Sequence, residues 1–105
     1  MTMAQTRPPR KLIQVGLGGF GRRWLEVVLA DRRWEYAALA TRRPAVREAA
    51  ARRAGLPPER AVGSLAAALE AAPEADAVLV TTPYFRHADD GVPRRHEEKA
   101  MMMVT

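Results

Sequence analysis

Three glycines near the start of the chain, Gly16, Gly18 and Gly21, form the pattern G-x-G-x-x-G directly after a short apolar run. Between a strand and a helix, the first permits a sharp turn, the second lets an anion approach the main chain, and the third allows close helix packing. The N–H groups and dipole of the helix that follows favour phosphate. The pattern predicts that these glycines, with Gly19 and Phe20, bind the pyrophosphate of a dinucleotide. A purely structural glycine turn is the alternative.

A second group of residues bears on which dinucleotide is bound. Thr41 stands 20 residues after Gly21 and is followed by Arg42 and Arg43. A site for NAD has an acidic residue about 20 positions after the glycines, which binds the ribose 2′-OH. Guanidinium groups bind a 2′-phosphate instead, through charge-assisted hydrogen bonds. These residues therefore predict that NADP is favoured over NAD, with two solvent-facing arginines as the alternative.

The composition limits the classes of protein to which the chain can belong. Its 105 residues include 17 Lys plus Arg, 12 Asp plus Glu and no cysteine. The length fits one domain, and the lack of cysteine excludes disulfides and thiolate sites. No apolar run approaches the ~20 residues that cross a bilayer, and no secretory signal is evident, so a cytoplasmic protein without a membrane partner is expected. No metal site is predicted, and the oligomeric state stays open.

The recurring arginine pairs do not by themselves indicate a nucleic-acid surface. They fall in different predicted elements and no nucleic-acid recognition motif accompanies them. We interpret them as solvated faces, so that a nucleic-acid partner is not expected.

The elements that position these residues alternate along the chain. Hydrophobic periodicity and turn residues predict strands at 11–15, 34–41, 60–62 and 77–82, and helices at 20–29, 44–54 and 65–72. Such alternation predicts an α/β fold, a Rossmann-like parallel sheet of order 3-2-1-4 with flanking helices and a ligand beyond the carboxyl ends of strands one and four.

Single residues predict the helix boundaries and the buried face of the first helix. Pro44 suits the first position of the second helix, Gly55 its C-terminal cap, and Ser64 the N-cap of the third. In the first helix the residues expected to face the sheet are Phe20, Trp24, Val27 and Val28.

The pattern fails after residue 87. Residues 89–93 break any helix, 96–99 are highly charged, and 101–105 form an apolar run too short to close another unit. We therefore expect a flexible arm at 1–10, a dinucleotide-binding Rossmann domain at 11–88, and an irregular tail at 89–105. The sheet should be incomplete at its C-terminal edge, without a fifth strand.

Three segments together resemble one known family. They are residues 15–21, the end of an alanine-rich helix at 53–56, and residues 78–87, an apolar run followed by Thr-Pro and a histidine. In this order they resemble the glucose-fructose oxidoreductase, inositol dehydrogenase and rhizopine-catabolism (Gfo/Idh/MocA) family over residues 11–88. The resemblance implies an NAD(P)-dependent oxidoreductase acting on sugars, cyclitols or related alcohols and carbonyls, with the nicotinamide carrying the hydride.

The resemblance also assigns roles to residues near the fourth strand. Thr81, Thr82 and Pro83 would line the nicotinamide-ribose side of the cleft; for the threonines, ordinary β-branched strand residues are the alternative. His87 matches a histidine that is structural or cofactor-adjacent in the family, whose catalytic histidine comes from a second domain. His87 is therefore assigned to cofactor binding, with a general acid of near-neutral pKa as the alternative. No catalytic residue is assigned.

The sequence also departs from the family in its last part. The family has a catalytic lysine in Glu-Lys-Pro at the end of a fifth strand, whereas Lys99 follows His87 too closely and no apolar strand precedes it. Lys99 is therefore rejected, and the family's substrate domain is missing. We expect a truncated or frameshifted domain that is inactive alone and meets a polyol or sugar only in a full-length form. The alternative is a stand-alone nucleotide-binding or sensing module without catalysis.

Overall fold

The computed structural model describes residues 8–81 and 100–103. Strands and helices alternate through most of this part of the chain. In chain order they are β1 (Arg10–Val15), α1 (Phe20–Leu29), β2 (Trp34–Ala40), α2 (Pro44–Ala54), β3 (Ala61–Val62), α3 (Leu65–Ala71), β4 (Ala77–Val80) and β5 (Ala100–Met103). A single 3-10 turn, Pro58–Arg60, leads into β3, so Arg60 lies just outside the strand predicted for it.

The strands form one parallel sheet in the order β3-β2-β1-β4-β5. The predicted order 3-2-1-4 is thus confirmed. β1 lies in the middle and pairs on both sides, with Val15 opposite Ala40 of β2 and Val80 of β4. The carboxyl ends of these three strands therefore lie side by side, where a parallel sheet of this type binds its ligand.

The expectation that no fifth strand exists is wrong. β5 pairs in parallel with β4, with Ala77 opposite Ala100 and Val80 opposite Met103. Four residues are too few to display the alternation that predicts a strand. The charged segment directly before them also gives no sign that a strand follows. The pairing partner is supplied by β4, which is remote in sequence. The other residues assigned to the tail, 89–99 and 104–105, lie outside the described residues.

Helices cover both faces of the sheet. On one face Leu12 packs with Leu25 and Val28 of α1 and Ala50 of α2. On the other face Ile13 and Val15 pack with residues of α3, because successive strand residues point to opposite faces.

The buried face of α1 differs from the predicted one. Val27, expected to face the sheet, is 57% exposed. Leu25 and Val28 are buried, and Trp24 packs against the same core from a half-buried position. The helix is thus rotated about its axis relative to the prediction, so that Leu25 faces the sheet and Val27 faces solvent.

The residues predicted at the helix boundaries take those positions. Pro44 begins α2, and Gly55 caps its end with a left-handed φ of 73°, a conformation that glycine adopts without steric cost. The Ser64 Oγ accepts a hydrogen bond from the N–H of Ala67 at 3.1 Å, which satisfies one of the free donors at the start of α3.

Candidate functional site

A cavity of about 460 Å³ opens at the carboxyl ends of β1, β2 and β4. Most of the residues predicted to bind the cofactor lie at this cavity: Gly16, Gly18, Gly19, Thr41, Arg42, Arg43 and Thr81. The site therefore lies where the strand order predicts it, beside the topological switch point.

The first glycine makes the turn out of β1. Gly16 has a φ of 97°, which a residue with a side chain rarely adopts. Its N–H donates to the carbonyl of Ala40 at 2.9 Å, which extends the pairing of β1 and β2 by one residue. The chain then leaves the sheet and reaches α1 through Gly18 and Gly19.

Gly18 and Gly21 face different surroundings. A Cβ atom on Gly18 would meet nothing within 4 Å, so the main chain at this point is open to a ligand. A Cβ on Gly21 would collide with the carbonyl group of Gly16 and lie 2.7 Å from the Thr81 Oγ1. Gly21 thus permits close packing of α1 on the sheet, while Gly18 permits close approach from the cavity.

The backbone of this turn leaves donors available to an anion. The N–H groups of Gly21 and Arg22 donate to the carbonyls of Gly18 and Gly19, at 2.7 and 3.1 Å. The N–H groups of Leu17, Gly18 and Gly19 donate to no other residue in the part of the chain that the structure describes. Free N–H groups before a helix N-terminus fit the pyrophosphate of a dinucleotide.

A buried polar side chain lies beneath the turn. Gln14 is fully buried, and its Nε2 donates to the carbonyl oxygens of Gly16 and Gly21 at 3.0 and 2.8 Å. Its Oε1 accepts a hydrogen bond from the hydroxyl of Tyr36 on β2. Burial, with a smaller contribution from the charge of Glu26, raises the pKa of Tyr36. The hydroxyl therefore remains a donor at neutral pH.

Thr81 joins β4 to the same turn. Its N–H donates to the carbonyl of Val15 at 2.8 Å. Its hydroxyl oxygen lies 3.0 Å from the carbonyl oxygen of Val15 and 2.7 Å from that of Gly16. The hydroxyl hydrogen is therefore directed into the protein, and the contact of Thr81 with the cavity is made by the rest of the residue.

The β2 side of the cavity is basic. Arg42 and Arg43 are exposed there. The neighbouring Arg47 donates from Nε to the Thr41 carbonyl at 3.3 Å, which ties this segment to α2. Among the described residues, no carboxylate lines the cavity.

Gly63 and Ser64 also line the cavity and were not predicted as site residues. Val62 lies opposite Ala40 in the parallel sheet, so the segment after β3 lies beside the segment after β2. The sequence contained a signal for this placement, since the carboxyl ends of parallel strands meet at one edge. From the sequence alone, Ser64 is predicted only as a helix cap.

Some predicted site residues are not placed by the structure. Thr82, Pro83 and His87 lie outside the described residues, as does Lys99. Phe20 begins α1, but its side chain is also outside the description. Within the described ranges no group of three or more His, Cys, Asp or Glu is arranged to hold a metal ion, and no helix has the length and apolar character that a bilayer span requires.

Two solved structures share 27–28% sequence identity with the chain. A putative myo-inositol dehydrogenase from Sinorhizobium meliloti is 28% identical, with a TM-score of 0.71 over 90% of this chain and 27% of that one. GenD2 from gentamicin A biosynthesis, solved with NAD, is 27% identical, with a TM-score of 0.67 over 85% and 24%.

The WlbA dehydrogenase from Bordetella pertussis, solved with NADH and UDP-GlcNAcA, shares the fold. It is 21% identical, with a TM-score of 0.71 over 90% of this chain and 29% of that one. The chain thus spans about a quarter of the length of the structures it matches. A search of curated proteins finds no match.

The sequence also matches a family described as "Oxidoreductase family, NAD-binding Rossmann fold" (GFO_IDH_MocA) over residues 11–103. The match includes β5 as well as the glycine turn, and it confirms the resemblance noted from the sequence. The chain therefore belongs to the Gfo/Idh/MocA oxidoreductase family and comprises its NAD-binding Rossmann domain.

Proposed function

We propose that this domain favours NADP over NAD. Within a longer protein, it binds the cofactor of an oxidoreductase that acts on a sugar, a cyclitol or a related alcohol or carbonyl. The observation that carries the cofactor preference is the pair Arg42 and Arg43 at the β2 side of the cavity. The names of two similar proteins, a putative myo-inositol dehydrogenase and a dehydrogenase solved with UDP-GlcNAcA, support the substrate class.

The orientation of the dinucleotide follows from the placement of donors and charges. The pyrophosphate lies against the free N–H groups from Leu17 to Gly19, ahead of α1. The adenosine ribose then lies at the end of β2, where a 2′-phosphate meets Arg42 and Arg43, beside Thr41. The nicotinamide ribose lies toward β4, near Thr81. The resemblance also assigns Thr82, Pro83 and His87, which lie outside the described residues, to cofactor binding.

Electrostatics explain why NADP, and not NAD, should be the favoured cofactor. A carboxylate at the end of β2 would bind a ribose 2′-OH and repel a 2′-phosphate. Guanidinium groups instead attract that phosphate, which carries three terminal acceptor oxygens and close to two negative charges. Because Arg42 and Arg43 are exposed, their attraction is screened by salt, and the preference should be largest at low ionic strength.

Calorimetric titration of the 105-residue chain with NAD and with NADP at low salt tests the preference. The parent should bind NADP more tightly. In the double variant Arg42→Ala/Arg43→Ala, NADP affinity should fall about tenfold or more, as expected for the loss of charge-assisted hydrogen bonds. NAD affinity should change little.

Arg10→Ala/Arg32→Ala is the matched control. It removes the same charge from exposed residues that lie away from the cavity and should leave the ratio of NADP to NAD affinity unchanged. Tighter binding of NAD by the parent, or equal effects of the two double variants on NADP, would refute the preference.

A second candidate function is a nucleotide-binding or sensing module without catalysis. Its supporting observation is the composition of the cavity: among the described residues, no His, Lys, Tyr, Asp or Glu lines it. Dinucleotide binding is common to both functions, so the titrations above apply to each. They are separated by assays of turnover in a longer protein that carries this domain.

A further inference from the structure

Gln14 is a polar residue in β1, the central strand of the sheet. It stands between Ile13 and Val15, and all three side chains are at most 2% exposed. Burial of an amide is unfavourable unless each polar atom finds a partner. An apolar residue would fill the same position in the core, so the amide needs an explanation beyond packing.

The partners of Gln14 fix the orientation of its amide group. The atom assigned as Nε2 faces two carbonyl oxygens, those of Gly16 and Gly21, at 3.0 and 2.8 Å. Only the NH₂ end has hydrogen atoms to place between itself and two acceptors, so the opposite orientation is excluded. The amide oxygen then faces Tyr36, whose hydroxyl must donate. Both donors and the acceptor of Gln14 are thereby used.

Gln14 and Thr81 act on the same atom of the turn. The carbonyl oxygen of Gly16 lies 3.0 Å from the Gln14 Nε2 and 2.7 Å from the Thr81 Oγ1. The single hydroxyl hydrogen of Thr81 is assigned to Gly16, the nearer of its two carbonyl neighbours, because the Val15 carbonyl already accepts from the Thr81 N–H. Both lone pairs of the Gly16 oxygen then face buried donors. The Gly16 carbonyl is therefore held toward the interior, with its negative end away from the cavity.

This arrangement matters for an anion because the turn has two polar sides. Carbonyl oxygens repel phosphate, whereas N–H groups attract it. The peptide that follows Gly16 has its oxygen held inward by Gln14, and the other end of that peptide is the N–H of Leu17, one of the free donors at the cavity. The planarity of the peptide bond makes N–H and C=O point in opposite directions. A side chain that holds the oxygen inward therefore also turns the N–H outward.

We propose that Gln14, itself oriented by Tyr36 and also bonded to the Gly21 carbonyl, is a positioning residue for the dinucleotide: it holds the Gly16 carbonyl inward so that the turn presents the Leu17 N–H to the pyrophosphate. The inference rests on the dinucleotide-binding function proposed above and adds to it a residue outside the glycine pattern. Gln14 touches the turn and acts on the phosphates only through it.

The test compares variants of the 105-residue chain. Gln14→Met fills similar space without donors, and Tyr36→Phe removes only the hydroxyl that orients Gln14. Val28→Ala is the control, since Val28 is buried in the last turn of α1 and packs in the core without a hydrogen bond to the glycine turn. Thermal unfolding of each variant separates loss of stability from loss of binding.

Two measurements are made on each variant. The first is made by NMR without cofactor: the chemical shifts of the Leu17, Gly18 and Gly19 amides, which are free, and the hydrogen-exchange rate of the Gly16 amide, which donates to Ala40. The second is NADP affinity by calorimetry. In Gln14→Met the three free amides should shift and the Gly16 amide should exchange faster. NADP affinity should fall about tenfold, as expected when a buried hydrogen-bond network is removed. Tyr36→Phe should change both in the same direction by less, and Val28→Ala should change neither.

The proposal is overturned if Gln14→Met leaves these amides and the affinity as they are in Val28→Ala. If Gln14→Met does not fold, the same two measurements on Tyr36→Phe decide: unchanged amides and affinity overturn the proposal. A parent chain that binds neither NAD nor NADP would refute the proposed function instead. The amide measurement, made without cofactor, still tests whether Gln14 holds the turn.

Discussion

Gly21 packs against the carbonyl group of Gly16 at a separation that leaves no room for a Cβ atom. Gly16 directly follows β1 and Gly21 lies in the first turn of α1, so this contact sets the distance between strand and helix. Thr81 closes the contact from β4, with its hydroxyl near both glycines. The phosphate-binding turn is therefore built on a backbone-to-backbone contact that a side chain would prevent.

Gly21→Ala should destabilise the fold by about 3 kcal/mol, the upper range for inserting a methyl group into a packed site. The colliding atoms belong to the Gly16 backbone and do not move aside as a flexible side chain would. In an ordinary helix the same change stabilises by about 1 kcal/mol. A loss of stability would therefore indicate the close contact with Gly16. Urea unfolding gives the free energy, with Gly18→Ala as control. A stabilised Gly21→Ala would contradict the contact.

Gly18→Val should weaken cofactor binding and leave stability unchanged, whereas Gly21→Ala should lower stability. Nothing in the protein lies within 4 Å of a Cβ at Gly18, so the midpoint of unfolding should stay close to that of the parent. The added methyl groups lie where the pyrophosphate approaches, and calorimetry should show a large loss of NADP and NAD affinity alike. Equal affinities for the variant and the parent would place the phosphate site elsewhere.

The features that could be predicted from the sequence are those with a local cause. Gly16, Gly21 and Gly55 occupy backbone positions that only glycine serves well, and their spacing in the sequence is enough to recognise them. Ser64 caps a helix through an atom three residues away. The order of the first four strands follows from right-handed crossovers, a rule that needs only the alternation of elements.

The features that sequence reasoning missed depend on partners remote in the chain. Gln14 interrupts an apolar strand, and its role becomes visible only when Tyr36 and Gly21 lie around it. β5 is too short to carry its own pattern and exists through pairing with β4. Gly63 reaches the cavity because β3 pairs with β2.

Ser64→Ala should destabilise the domain by about 1 kcal/mol, the usual cost of losing an N-cap acceptor. The Ser64 Oγ accepts from the Ala67 N–H, and without it that donor at the start of α3 lacks its partner. Chemical denaturation measures the change. Ser64→Thr keeps the acceptor oxygen and should remain close to the parent. If the alanine and threonine variants were equally stable, the cap would contribute nothing.

Stability should depend on pH through Asp31. Its carboxylate accepts hydrogen bonds from the side chain and backbone N–H of Arg33, and these lower the pKa of Asp31 to about 2. Because the folded pKa lies below the unfolded one, the ionised carboxylate stabilises the fold above about pH 4, and this contribution is lost as the pH falls toward 2. The stability difference between the parent and Asp31→Asn should therefore be constant near neutrality and shrink between about pH 4 and 2.

Arg33→Ala is the control for this pH dependence, since it removes the side-chain donors, which are the largest cause of the lowered pKa of Asp31, and keeps only the backbone N–H of residue 33. In that background the cost of Asp31→Asn near neutrality, and its change with pH, should both be smaller than in the parent. Because Asp31 and Arg33 lie at the surface, added salt should reduce the difference in the parent as well. A difference that grew on acidification would have the wrong sign for a lowered pKa.

The 105-residue chain, expressed alone, should bind the dinucleotide and show no turnover. Hydride transfer needs an acceptor and a proton-transfer group held near the nicotinamide. The described part of the cavity offers backbone N–H groups, hydroxyls and two guanidinium groups, none of which transfers a proton readily at neutral pH. The check is a screen of polyols, sugars and sugar acids with NAD and NADP, followed by nicotinamide absorbance. Gly18→Val provides the background rate of a chain with impaired binding. Turnover that survives purification and disappears in His87→Ala or Lys99→Ala would show that residues beyond the described part complete an active site within this chain.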